Sequence, residues 1–247
     1  GNGVTIQQAA HVRDILLDEA YRKENGRCGF YEKLIDATDE IQTQLGEFSG
    51  ISYQEAMSDL LSAINEVSKT PDDNTARASL VQSAVSFIDR SQLIYNGLTK
   101  YQNNLNIQVA NITDRINEIG EQIKTLNKQI SAIETGVETA MTLRDERDLL
   151  LDELSGYAKI EYTEDKNGVV SVMLEGNFFC DGLSVSKLGL ETIEGTDFYI
   201  PVWKEMHNTP VYNMEKSIST AKNTDIGSLK GVLVARGTIT PTFANMT

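Results

Sequence analysis

Residues 81–133 read VQSAVSFIDRSQLIYNGLTKYQNNLNIQVANITDRINEIGEQIKTLNKQISAI. One line of positions through this stretch carries Val81, Ala84, Ile88, Ser91, Tyr95, Leu98, Gln102, Leu105, Val109, Ile112, Ile116, Ile119, Ile123, Leu126, Ile130 and Ile133. Steps of three and four alternate along it, and only Ser91 and Gln102 interrupt its apolar character. Such spacing returns to one side of a helix every seven residues and predicts a structural seam packed against partner helices. Upstream, Thr70-Pro71-Asp72-Asp73 offers a cap, a proline suited to the first turn, and carboxylates at the positive end of the helix dipole. Downstream, Gly136 stands where a left-handed C-cap belongs. The prediction is one helix over 71–134, about 95 Å long at 1.5 Å per residue.

Shorter stretches repeat the period. Tyr53, Met57, Leu60, Ile64 and Val67 follow a capping box of Ser52 and Glu55. Phe30, Leu34, Ala37, Ile41, Leu45 and Phe48 form another stripe, with Gly46 and Gly50 near its end, and 4–23 is expected to be helical with Val12, Leu16 and Ala20 toward a partner. A further helix is expected over about 143–155, with Thr142 and Asp145 at its start and Gly156 after it. Short connections favour antiparallel neighbours, so the expected assembly is an elongated antiparallel helical bundle. The pattern changes after Gly156. Ile160–Thr163 and Val170–Leu174 alternate around Glu164-Asp165-Lys166-Asn167-Gly168, which predicts a hairpin. Residues 178–223 suggest short strands whose pairing is unreadable. The fold class expected is mainly α with a β-rich portion (α+β): a helical rod over 1–156, then a β-rich portion over 157–247 that returns toward the bundle at about 224–247. Thr240-Pro241 looks like the cap of one more helix.

Composition narrows the function. The chain has 247 residues, with 22 Lys and Arg against 36 Asp and Glu, a net charge of −14. That balance argues against a nucleic-acid partner, which is held by counterion-releasing cations, and against an anionic membrane surface. No apolar run is long enough to span a bilayer, and residues 1–20 lack the basic start and apolar stretch of a signal peptide. The two cysteines, Cys28 and Cys180, and the two histidines, His11 and His207, show no metal-ligand spacing. No GxSxG, Walker loop or GxGxxG occurs. A calcium loop centred on Gly168 would need acids where Thr163 and Leu174 stand. Asp145, Glu146, Asp148, Asp152 and Glu153 surround Arg144 and Arg147, a pattern that solvation and i,i+4 pairing explain. The expectation is therefore no catalytic, cofactor or metal residue.

The order of features resembles one family. SDLLSAINEVSKTPDDNTARASLVQSA, the Asn- and Gln-dotted helix ending in IGEQIKTLNKQI, and LRDERDLLLDELSGYAKIEYTEDKNGVVSVML are similar to the family of flagellar hook-associated protein 1, the FlgK family. The resemblance covers about 51–182 closely, and 1–50 and 224–240 more loosely. It implies a middle fragment lacking both terminal segments of a structural protein at the hook–filament junction of the bacterial flagellum. It also implies export without a cleaved signal, and partners in the axial ring: other copies of itself, hook protein and the second junction protein. An export chaperone is implied through an absent terminal segment. The residues alone leave a spectrin-like or coiled-coil binding module as the alternative, and the second junction protein or a flagellin as another axial one.

Overall fold

A computed structural model describes residues 2–46, 52–134, 140–212 and 218–237. Helices α1 (Asn2–Leu45), α2 (Tyr53–Lys69), α3 (Asn74–Glu134) and α4 (Met141–Tyr157) come first. Strands β1 (Ile160–Glu164), β2 (Val170–Leu174), β3 (Asn177–Cys180), β4 (Leu188–Thr192), β5 (Tyr199–Trp203) and β6 (Thr209–Pro210) follow, then helix α5 (Ser228–Ala235). The mainly helical class with a small antiparallel β region is thus present. The strands form two three-stranded sheets, β1-β2-β3 and β4-β5-β6, antiparallel throughout.

Helix α3 is 61 residues long. Its start differs from the expected one. Asp73 caps it, accepting the Thr75 N–H at 2.8 Å, while Thr70 instead ends α2 by donating its own N–H to the Glu66 carbonyl at 3.0 Å. A short turn separates the two helices, and each end of that turn satisfies a different helix. Ser52 caps α2 as its sequence suggests, accepting from Glu55 N–H at 3.1 Å. Helix α1 runs unbroken through Gly26 and Gly29, where the sequence suggested two separate segments. Helix α4 begins without a side-chain cap of its own; Glu134 of α3 accepts the Ala140 N–H at 3.0 Å. Gly136, Phe48, Gly50 and Thr240-Pro241 lie outside the described residues.

The hairpin forms in the register that its alternation dictates, from Ile160 opposite Leu174 to Glu164 opposite Val170. Asp165 organises the turn: its Oδ1 accepts the N–H groups of Asn167 at 2.8 Å and Val169 at 2.9 Å. Gly168 sits at φ +75°, a conformation that side chains other than glycine rarely adopt.

The chain divides into two compact units that cross the expected boundary at 156. One comprises Gly1–Leu34 with Leu105–Thr247; the other comprises Ile35–Asn104. The physical reason lies within the first unit, where the strands dock on the second half of α3 and so cannot separate from it. In the second unit, α2 lies against α3, with Tyr53 and Phe87 in ring contact at 5.4 Å. Arg90 donates to the Gln44 carbonyl at 3.1 Å.

Candidate functional site

In the first unit, Leu105, Val109, Ile116, Ile119, Ile123, Leu126 and Ile130 of α3 are buried, and Ile112 is half-buried. Each such aliphatic side chain removed from water contributes about 1.5–3 kcal/mol. In the second unit the inward line differs from the sequence reading. Val81, Ile88 and Tyr95 are 64%, 52% and 70% exposed, Leu98 is half-buried, and Ile94 is buried one position earlier. Ala76 and Ile94 are buried there, with Leu80, Ala84, Phe87, Leu98 and Tyr101 half-buried, and from Ile94 and Tyr101 the inward line continues through Leu105 to Val109 by two steps of four. Two consecutive fours shift a heptad line around the helix. Ile133, at the end of α3, is 39% exposed.

Three asparagines of α3 stand one position after buried seam residues, and each holds a strand by its backbone. Asn106 follows Leu105; its Oδ1 accepts Tyr199 N–H at 2.8 Å and its Nδ2 donates to the Asp197 carbonyl at 3.0 Å. Asn117 follows Ile116; it accepts Leu188 N–H at 2.9 Å and donates to the Leu188 carbonyl at 3.0 Å. Asn127 follows Leu126; it accepts Val170 N–H at 3.1 Å and donates to the Val170 carbonyl at 2.8 Å. A primary amide carries a donor and an acceptor side by side, so it pairs with a strand as another strand would. Strand β5 is met at its start by Asn106, β4 by Asn117 and β2 by Asn127.

Arginines complete the attachment. Arg147 of α4 is buried and donates to Asn127 Oδ1 at 2.9 Å, to the Gly168 carbonyl, and to Glu164 at 3.0 Å. Burial pulls its pKa down, and Glu164 partly restores it. Arg144 forks onto Glu134 at 2.7 and 2.6 Å and reaches Glu164 at 2.7 Å. The Arg144 hydrogen bonds hold the Glu134 carboxyl down at about 2. Asp145 and Glu146 are exposed as expected, but Asp148 and Asp152 pair across the fold with Arg22 at 3.6 and 2.8 Å, and Glu153 with Arg115 at 2.7 Å. At the C-terminal end of α5, Arg236 donates to Asn106 Oδ1 and to the Tyr199 carbonyl at 2.6 Å, with its guanidinium 4.9 Å from the Phe198 ring centre. Burial lowers its pKa to about 10.

A close crossing seats α5. A Cβ on Gly26 would lie 2.6 Å from both Ile226 Cγ2 and the Ser155 carbonyl oxygen, and one on Gly29 would lie 2.6 Å from the Gly156 carbonyl. Gly227 donates its N–H to the Gly26 carbonyl at 2.8 Å. Asp225 is buried beside α1 and accepts from Tyr31 at 3.1 Å and Thr220 at 2.8 Å.

The sequence pattern singles out none of Asn106, Asn117 and Asn127. Their signal is positional: each directly follows a seam residue, with separations close to three helical turns. Cys28 is exposed and donates to Glu32 at 3.3 Å, and Cys180 is buried, which pushes its thiol up to about 12. His207 occupies a left-handed turn, and the His11 side chain lies outside the described set. Among the described residues no group of three His, Cys, Asp or Glu is placed to hold a metal ion, and no helix is long and apolar enough to cross a membrane. The arrangement is one of attachment: strands fixed to a helix by paired hydrogen bonds.

Comparisons with known proteins agree with this architecture. Flagellar hook-associated protein 1 of Bacillus subtilis (strain 168) is 27% identical over 194 residues, covering 78% of this chain and 38% of that protein. The Escherichia coli (strain K12) protein of the same name is 24% identical over 251 residues, covering 96% of this chain and 43% of its own length. The chain thus spans about two fifths of these relatives. The solved structure of the flagellar hook junction protein FlgK from Burkholderia pseudomallei superposes with a TM-score of 0.70 at 19% identity, over 89% of this chain and 38% of that one, which is a likeness of fold. The family model described as the flagellar hook-associated protein FlgK helical domain matches residues 38–247, and the chain belongs to that family.

Proposed function

We propose that the chain is the helical and hairpin portion of a hook-associated protein that joins hook to filament on the bacterial flagellum, outside the cell. The family match across 38–247 carries this proposal. Its partners are other copies of itself in an axial ring, hook protein and the second junction protein, with an export chaperone acting through a segment outside this chain. Export proceeds without a cleaved signal. The role is structural and involves no catalysis, cofactor or metal. A net charge of −14 supports the absence of nucleic-acid and anionic-membrane partners.

The physical basis is rigidity. A single helix carries the attachment points of both sheets, and paired amide hydrogen bonds oppose sliding of each strand along it. Asn, Gln, Ser and Thr on the outward flanks of α3 suit contacts between neighbouring subunits. The test is immunogold microscopy of intact flagella with antibodies raised against this chain. A single labelled band where hook meets filament is expected. Label along the filament or confined to the cell would overturn the proposal.

A further inference from the structure

Two features of the first unit stand on opposite edges of the sheet β1-β2-β3. Directly after β3 the chain makes a tight turn organised by Asp181. Its Oδ1 accepts the N–H groups of Leu183 at 2.6 Å and Ser184 at 2.9 Å, and its own N–H is donated to the Ser184 carbonyl at 3.2 Å. Gly182 lies against the hairpin turn, where a Cβ would stand 3.2 Å from Val169 Cγ1. The turn is thus fixed from within and from beneath, and Leu183 at its tip is 84% exposed. An apolar tip held this way loses little conformational freedom when it docks.

At the other edge, β1 and α1 leave a groove of about 590 Å³ between them, with Ile160, Tyr162, Met173 and Ile226 along it. Most of its charges are paired within the chain. Arg22 bonds to Asp152 at 2.8 Å and covers the Tyr162 ring at 4.7 Å, and Lys159 pairs with Glu161 at 3.0 Å. Glu19 and Lys23 line the α1 side. Among the described residues Lys23 has no ion-pair partner, and neither does Asp181; Lys128 and Asp165 line the surface next to Leu183 and offset each other. We propose that Leu183 of one copy seats in the α1–β1 groove of the next copy, with Asp181 set against that copy's Lys23. The occupant is a second copy because each chain presents both halves of the contact on opposite sheet edges, which makes the contact head-to-tail. Head-to-tail contacts close into rings or run on as filaments. At a net charge of −14 copies repel one another, so a tip that carries an acid needs an uncommitted cation at its destination. The proposal rests on the reading of the chain as one of several copies in an axial ring, and it gives that ring a lateral contact.

The experiment is photo-cross-linking of the purified chain with p-benzoylphenylalanine in place of Leu183. Isotope-labelled and unlabelled copies are mixed at about 1 mM in about 0.15 M salt, irradiated, and mapped by mass spectrometry. Isotopically mixed pairs joining position 183 to residues 159–173 are expected. K23E should lower their yield about fivefold, by placing two acids together. D181N keeps the oxygen that organises the turn but removes its charge, so K23E should change the yield little in that background. The absence of mixed pairs, pairs joining position 183 to itself or to another surface, or an equal effect of K23E in both backgrounds overturns the proposal. Because the purified chain is used, such a failure leaves the immunogold test of the ring reading untouched.

Discussion

Asn127 and Val170 exchange two hydrogen bonds, side chain to backbone, at 3.1 and 2.8 Å, although 43 residues separate them. The same amide oxygen also accepts from Arg147, so one buried side chain joins α3, α4 and β2. Truncating Asn127 to alanine would leave a backbone N–H, a carbonyl and a guanidinium N–H without this partner. Each buried unsatisfied group costs about 1–3 kcal/mol, so Asn127→Ala should lose about 3–4 kcal/mol in urea denaturation. Asn103→Ala, at an exposed position of the same helix, should stay within about 0.5 kcal/mol of wild type.

Two helical glycines should respond with opposite signs to alanine. Alanine raises helix propensity by about 1 kcal/mol at either position. At Gly26 the new methyl meets the Ser155 backbone carbonyl, which cannot step aside, and overpacking of about 1–3 kcal/mol outweighs the gain. At Gly97 it meets only the end of the Gln44 side chain, which can swing away. Thermal melts should show a lower midpoint for Gly26→Ala and an equal or higher one for Gly97→Ala.

Two glutamates should bend the pH profile of stability from opposite ends. Glu134 titrates lower in the folded chain than in the unfolded one, because Arg144 bonds its ionised form. Its contribution is present above about pH 4.5 and is lost as pH falls toward 2. Solvent around the pair screens it, leaving about 1 kcal/mol. Glu175 titrates higher when folded, near 7. Its neutral form is the favoured one, so stability falls as pH rises from about 5 to 8, by about 2 kcal/mol. Denaturation across pH 2–8 should show Glu134→Gln flattening the acid limb and Glu175→Gln the neutral limb.

Ile119 is fully buried and Val81 is largely exposed, though both lie on the line of positions read from the sequence. Ile119→Asp should cost several kcal/mol by burying a carboxylate among apolar neighbours. Val81→Asp should change the denaturation midpoint little. Equal losses would mean that the inward line of the second unit runs through Val81 after all.

The difference between those two positions marks where the sequence stops being legible. From Ile112 to Ile130 single apolar residues recur every three or four positions, so the phase of the seam is unambiguous there. Upstream, the apolar residues come in adjacent pairs: Leu80-Val81, Ala84-Val85, Phe87-Ile88 and Ile94-Tyr95. Two parallel stripes fit equally well, and only packing selects between them. The hairpin was readable because its determinants are local, namely alternation on both strands around an Asp-to-Gly turn. The attachment site was not, because each amide partner lies far along the chain. Asn106 meets Tyr199 93 residues away and Arg236 130 residues away. An asparagine beside a seam looks like any polar flank until its strand is in place. The role of Gly26 and Gly29 is illegible for a related reason: glycine locally weakens a helix, but here the two admit α4 and the chain leading into α5.

The central structural claim is that α3 holds the strands individually, through Asn106 at Tyr199, Asn117 at Leu188 and Asn127 at Val170. It is tested most directly by residue-resolved amide hydrogen exchange of Tyr199, Leu188 and Val170 in Asn106→Ala, Asn117→Ala and Asn127→Ala. Each variant is expected to lose the most protection at its own strand's amide, with smaller changes at the other two. Equal loss at all three amides in every variant, or no loss at the matched amide, would contradict it.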